Sequence, residues 1–405
     1  MAAASGPVGL ARSRSEVSAY QRNEQTERES RIEGVIRAYG EQGFHRTGSE
    51  TDKRSGDWLC DEVRGIGLDP SREAFSLNLV EPVVAMLVVG ERRIEGLPLF
   101  DGAFTGASGV RGGLGALDGD APIGLTEAAP NTAAAGPLGA ARRANRHKAI
   151  VCVTRGGRPG LCPSNADSFL DPFGPPVLQV SSEDASWLTE QARAGAEAQL
   201  VAQVRRKQAQ AFNVTAKIQG TGSNLLPLVV MTPRSGWWSC ASERGGGIAC
   251  WLELMRALRA NKPSRDVLFV ASSGHELGHL GINAFVDRRP GIVKKSVAWM
   301  HFGANIGAAT DPGNTLQSSD DELEAKLASE MTSAGLRVDR RIPRGTIPGG
   351  EAEVVHRGAG RYVSVIGRNA LFHNPADRGP EAIDLKAIAR FVDAFTTMAK
   401  TLAGA

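Results

Sequence analysis

Aromatic residues make up only 5% of this 405-residue chain, and its formal net charge is only +3. With few stacking groups, and with Lys and Arg interspersed among acidic residues, nothing marks a nucleic-acid-binding surface. Long apolar runs are missing as well. No stretch approaches the roughly 20 residues that span a bilayer, and the opening MAAASGPVGLARSRSEVSAYQRNEQTERES has no apolar core of the signal-peptide kind. The five cysteines (Cys60, Cys152, Cys162, Cys240, Cys250) are an odd number without CxxC spacing. That pattern indicates neither a disulfide framework nor a cysteine zinc site. The expectation is a cytoplasmic protein that takes a small-molecule substrate, has no nucleic-acid or membrane partner, and is a candidate for homo-oligomer formation.

What is present is regular alternation. Residues 24–39 and 51–66 have helical spacing, and 72–79 reads as a strand. From 80 onward short apolar runs alternate with Gly/Ala/Pro-rich segments, including the strands 148–153 and 175–180 and a helix expected over 182–199. Beyond Phe212 the order becomes strand–helix–strand, with strands at 213–218, 226–231, 267–271, 296–302 and 362–366 and helices at 245–259, 320–334 and 383–402. This predicts an α/β protein, a mostly parallel mixed sheet covered by helices on both faces, with an inserted β-rich module. The expected divisions are a disordered 1–20, a first part of the main domain at 21–79, an insertion at 80–208, and the remainder at 209–405.

Residues 266–287, DVLFVASSGHELGHLGINAFVD, stand at the centre of this order. The apolar run reads as a buried strand that turns through Ser272-Ser273-Gly274 into a helical pattern. His275, Glu276 and His279 therefore sit at a strand-to-helix junction, where open α/β sheets place their ligands. His275-Glu276-Leu277-Gly278-His279 matches the HExxH zinc motif, but that motif needs both imidazoles on one helix. The strand and turn just before His275 argue against it.

The whole succession, over roughly residues 25–405, resembles the metallopeptidase family of co-catalytic zinc aminopeptidases, glutamate carboxypeptidases, glutaminyl cyclases and the transferrin receptor. The resemblance rests on HRTGSETDKRSGDWLCDEVRGIGL near the start, on HKAIVCVTRGG and GPPVLQVSSEDASWL, which look like a protease-associated insertion, on RDVLFVASSGHELGHLG, and on LFHNPAD with the later Ile383-Asp384. The family's metal site is altered here. Carried over residue by residue, its first His falls on Arg234 and the neighbouring Asp on Gly236. The bridging Asp falls on Glu243, the Glu-Glu pair on His275-Glu276, the next Asp on His301 and the final His on His373.

The resemblance thus implies about one zinc per chain, held by Glu243, Glu276 and His373, with His301 as a candidate fourth ligand. His275 would replace the family's base, and His279 would assist it or touch substrate. Arg234 cannot deprotonate to ligate, and it would offer a fork for a carboxylate. The implied activity is a metal-dependent hydrolase that cleaves an amide, ester or lactone in a small carboxylate-bearing substrate rather than general peptides. The alternatives are a metal-free binding or assembly member of the fold, and a His-based lyase or isomerase.

Overall fold

The computed structural model describes residues 14–405. Of the segment expected to be disordered, residues 1–13 lie outside the described part, and from Arg14 the chain is already helical, in α1 (Arg14–Gly40). Helix α2 (Glu50–Ile66) starts where the Ser49 side chain accepts the Asp52 N–H, and it ends at Gly67 in the left-handed region, φ 83°.

In the first half of the chain follow β1 (Ser71–Val89), β2 (Arg92–Pro98), β3 (Val110–Ala116), β4 (Ile123–Ala128), α3 (Gly136–Ala144), β5 (Ala149–Thr154), β6 (Val177–Val180) and α4 (Ala185–Arg193). The second half carries β7 (Glu197–Ile218), β8 (Leu228–Pro233), α5 (Gly246–Ala260), β9 (Val267–Ser272), α6 (Leu280–Asp287), β10 (Ala298–Phe302) and β11 (Gly313–Ser318). It closes with α7 (Asp321–Ser333), β12 (Arg340–Arg341), α8 (Ala352–Arg357), β13 (Tyr362–Arg368) and α9 (Leu385–Ala403).

The main sheet runs β7-β9-β8-β10-β13-β11-β12. Its centre, β9-β8-β10-β13, is parallel, while β7 on β9 and β11 on β13 are antiparallel. Strand β8 is buried at every residue, as a parallel strand covered on both faces must be. One face packs α1, α2, α5, α7 and α9 through Ile36, Leu59, Trp251, Leu327 and Phe395, and the other packs α6 and α8 through Ile282, Phe285 and Val355.

Strands β1 and β7 pair along their length, from Ser71 with Thr215 to Val89 with Ala198, and carry the chain out of the main sheet. The boundary expected between 79 and 80 falls inside β1. At the outer end the pairings close a ring, β1-β2-β6-β5-β4-β3-β7 and back to β1, around a core that includes Leu87, Val151, Leu178 and Leu200. The helix expected over 182–199 is corrected: α4 stops at Arg193, Gly195 turns at φ 65°, and β7 begins at Glu197. From Glu197 the chain alternates polar and apolar residues, Glu-Ala-Gln-Leu, which is the strand period, and pairing with β1 fixes it.

Candidate active site

The parallel strands β8, β9, β10 and β13 deliver their carboxyl ends to one edge, and the polar residues that follow them meet there. Three of these residues have left-handed backbones, Cys240 at φ 52°, His279 at 61° and His373 at 55°, and a fourth, Asn305, is at 63°. Such conformations cost about 1–3 kcal/mol each in non-glycine residues and gather where side chains must be aimed.

His275 opens a single 3-10 turn, His275–Leu277, after which Gly278 and His279 both turn left-handed before α6 begins. The two imidazoles are therefore not on one helix, and the HExxH geometry is absent. Their ring centroids are 5.0 Å apart and tilted by 47°. His275 is 7% exposed and lines a cleft of about 860 Å³ together with the half-buried His279. Its Nδ1 lies 3.6 Å from Oε1 of Glu351, a wholly buried carboxylate whose Oε1 also accepts the Ser272 hydroxyl. Burial, and after it the positive charge of Arg244, keeps the His275 imidazole neutral by pushing its pKa well below 6.5.

Behind His275 lies a second group. Glu243 and Arg244 stand in the one wide turn, Ala241–Gly245, that precedes α5. Gly246 follows because a Cβ there would come 1.9 Å from the Ile306 carbonyl oxygen, so the glycine run serves close packing. Arg244 is fully buried. Its Nε donates to the Ser235 carbonyl at 2.7 Å, and its Nη2 lies 2.8 Å from Glu243 Oε1. The same oxygen is 3.3 Å from His373 Nε2. Burial pushes the Glu243 carboxyl up, but Arg244 and then His373 outweigh it and hold the group far below the usual range. Glu243 Oε1, His373 Nε2 and both terminal nitrogens of Arg244 are buried without a hydrogen-bond partner.

The other expected site residues stand as follows. Glu276 is buried with Oε1 accepting the Thr47 N–H and Oε2 accepting the Ser235 hydroxyl, each at 2.7 Å. His301 is buried, paired through Nδ1 to Ser364 Oγ at 2.8 Å, with burial lowering its pKa to about 4. Arg234 does not reach the cleft. Its guanidinium is spent on the Asp52 carboxylate and carbonyl and on the Phe212 carbonyl, so the carboxylate fork expected of it is already occupied. Trp237 and Trp238 donate to Asn165 Oδ1 and to the His373 carbonyl, which makes them props of the site. Two site residues carried no expectation from sequence: Arg244, which follows Glu243 directly, and Glu351, which ends a Gly-rich loop just before α8.

The fold family implies zinc, and the donors can be tested against it. The 3.3 Å between Glu243 Oε1 and His373 Nε2 matches two ligands about 2 Å from a tetrahedral ion. The rest of the set fails. Both Glu276 oxygens are engaged elsewhere, and among the described residues no group of three His, Cys, Asp or Glu side chains is placed to hold a metal. A dication on Glu243 Oε1 would stand roughly 5 Å from the Arg244 charge, a repulsion of about 7 kcal/mol at an effective dielectric of about 20. The residues do not fit a zinc ion held by Glu243, Glu276 and His373.

No protein-family model and no curated protein matches the chain. Solved structures do. The zinc aminopeptidase BSAP from Bacillus subtilis superposes with a TM-score of 0.74 at 18% identity, covering 93% of this chain and 94% of that one. A peptidase M28 precursor from Shewanella amazonensis SB2B gives 0.71 at 14% identity over 94% and 96%. The aminopeptidase from Aneurinibacillus sp. strain AM-1 gives 0.69 at 14% over 93% and 94%. Among the described residues no helix is long and apolar enough to cross a membrane. The chain has the fold of the zinc aminopeptidases and M28 peptidases, the fold that its sequence motifs resemble.

Proposed function

We propose that this protein is a hydrolase of the aminopeptidase fold that cleaves an ester or lactone in a small carboxylate-bearing substrate, with His275 as its base. The observation that carries this reading is the pairing of a neutral histidine at the cleft wall with the buried Glu351 carboxylate, 3.6 Å from Nδ1. Nδ1 is buried beside Glu351 without a hydrogen-bond partner, and Nε2 is the nitrogen that would act in the cleft. A base with a pKa below neutrality is unprotonated at working pH, and a carboxylate behind it steadies the imidazolium that forms in the reaction.

His275 Nε2 takes a proton from water as the water oxygen bonds to the acyl carbon. When the tetrahedral intermediate collapses, the same proton passes to the leaving alkoxide oxygen, giving a carboxylic acid and an alcohol. Asn165, whose side-chain oxygen accepts the Trp237 indole N–H at 3.1 Å, lines the same cleft, and its free amide N–H₂ would donate to the acyl oxygen. General base catalysis supplies about 10²–10⁴-fold. That suits an electrophilic ester better than a peptide bond. Arg340 also lines the cleft and would supply a positive charge for a substrate carboxylate, whereas Arg368 is engaged by Asp311.

The test is turnover of a panel of aryl esters and lactones with and without a carboxylate. Wild type is expected to hydrolyse the carboxylate-bearing members, and His275→Ala to lose about 10²-fold or more in kcat. Equal rates in both, or none in either, would remove the hydrolase reading and leave a binding role for the fold.

A further inference from the structure

The hydrolase reading uses His275 and Glu351 but leaves Glu243, Arg244 and His373 unexplained. These three are buried to 1% exposure or less and share one oxygen, Glu243 Oε1. Two of them present a carboxylate oxygen and an imidazole nitrogen at the separation of two zinc ligands. The third brings a guanidinium to the same oxygen at 2.8 Å. Arg244 cannot swing aside, because its Nε is tied to the Ser235 carbonyl at 2.7 Å and its side chain has no exposed surface. Nor is its charge spread over other acceptors, since Nη1 and Nη2 have no hydrogen-bond partner.

We infer that Arg244 is the resident cation of this site and takes the electrostatic place of a divalent metal. Its guanidinium neutralises Glu243, projects positive charge toward His275, and keeps metal off the Glu243–His373 pair. A guanidinium is charged at every pH the protein meets and cannot itself ligate. The site therefore holds a fixed positive charge opposite Glu243 without being loaded, and that charge survives chelators. This inference stands whether or not the chain hydrolyses an ester.

The experiment is a cobalt(II) titration of the full chain, followed by visible absorption and by bound metal after gel filtration. Wild type and Arg244→Lys are expected to bind none at the pair. Arg244→Asp removes the cation and adds a third donor group, a second carboxylate beside Glu243. It is expected to take one equivalent with tetrahedral-type bands, at least tenfold more tightly than wild type, and to lose it on adding His373→Ala. Arg244→Met, closer in volume, carries the same arm if the Asp variant does not fold. One equivalent bound by wild type and lost in His373→Ala would overturn the inference. So would folded Arg244→Asp and Arg244→Met proteins that bind no cobalt.

Discussion

His373 Nδ1 donates to the Pro163 carbonyl oxygen at 2.6 Å. A carbonyl can only accept, so the proton is on Nδ1, and Nε2 is the nitrogen that faces Glu243. The loop of Pro163 belongs to the segment between β5 and β6. It also gives the Ala166 N–H to the Glu276 carbonyl at 2.8 Å and the Asn165 side chain to Trp237. The outer module thus aims a residue of the inner one. The loop is itself fastened by Asp101, which accepts the Ser168 N–H and pairs with Arg142, both ionic side chains being 0% exposed.

Breaking that fastening leaves a buried charge alone. Asp101→Ala is expected to destabilise the protein by about 3–5 kcal/mol, read as a lower urea midpoint at unchanged m-value. An effect under 1 kcal/mol would show that the pair does not hold the loop.

Glu351 acts through His275, so its variant separates orientation from binding. Glu351→Gln is expected to lower kcat on the ester panel by about 10²-fold with little change in KM. A pure KM effect would place Glu351 in substrate binding instead.

Arg340 is expected to show the reverse. Arg340→Ala should raise KM roughly 3–10-fold for carboxylate-bearing esters only, with kcat unchanged, as loss of uniform binding does. Stability should not move, since Arg340 is exposed on a two-residue strand. An equal KM change for neutral esters would show that it does not read the carboxylate.

Buried histidines should make stability depend on pH in mild acid. Burial lowers the His301 pKa from 6.5 to about 4 and the His45 pKa from 6.5 to about 3. Below pH 6.5 the unfolded chain gains a proton at each position that the folded chain refuses. Each histidine then withdraws about 1.4 kcal/mol per pH unit until its folded pKa is reached. Asp377 runs the other way. Burial raises it from 3.8 to about 6, so its contribution to stability is greatest below pH 3.8 and is lost as pH rises toward 6. Between pH 6 and 4 His275 acts with the two histidines, and Asp167 and Glu276, whose carboxyls burial raises, act with Asp377, so the contribution of His301 is read by difference. Urea titrations across this window should show a slope that His301→Gln reduces by about 1.4 kcal/mol per unit. An unchanged slope would mean that His301 is not held neutral by burial.

Much of the fold was legible because its strands are short apolar runs punctuated by Gly and Pro. The central run at 267–271 became β9, Val267–Ser272, and the terminal helix pattern became α9. Less legible was the ladder of β1 and β7. It exists through pairing between residues more than a hundred positions apart, and local pattern does not carry such pairing. At the site, motif resemblance pointed to Glu243, Glu276, His275 and His373 because it works position by position. It could not show that Thr47 and Ser235 would occupy Glu276. Nor could it show that the wide turn at Ala241–Gly245 would bury Arg244 beside Glu243. Arg234, placed by the same resemblance at a ligand position, is claimed by Asp52 on α2. That contact depends on tertiary packing alone.

The most direct test of the account is ester turnover by protein dialysed against chelator, with metal content measured on the same sample. The account predicts full activity at substoichiometric metal, lost in His275→Ala. Activity that disappears on chelation and returns with one equivalent of zinc would contradict it.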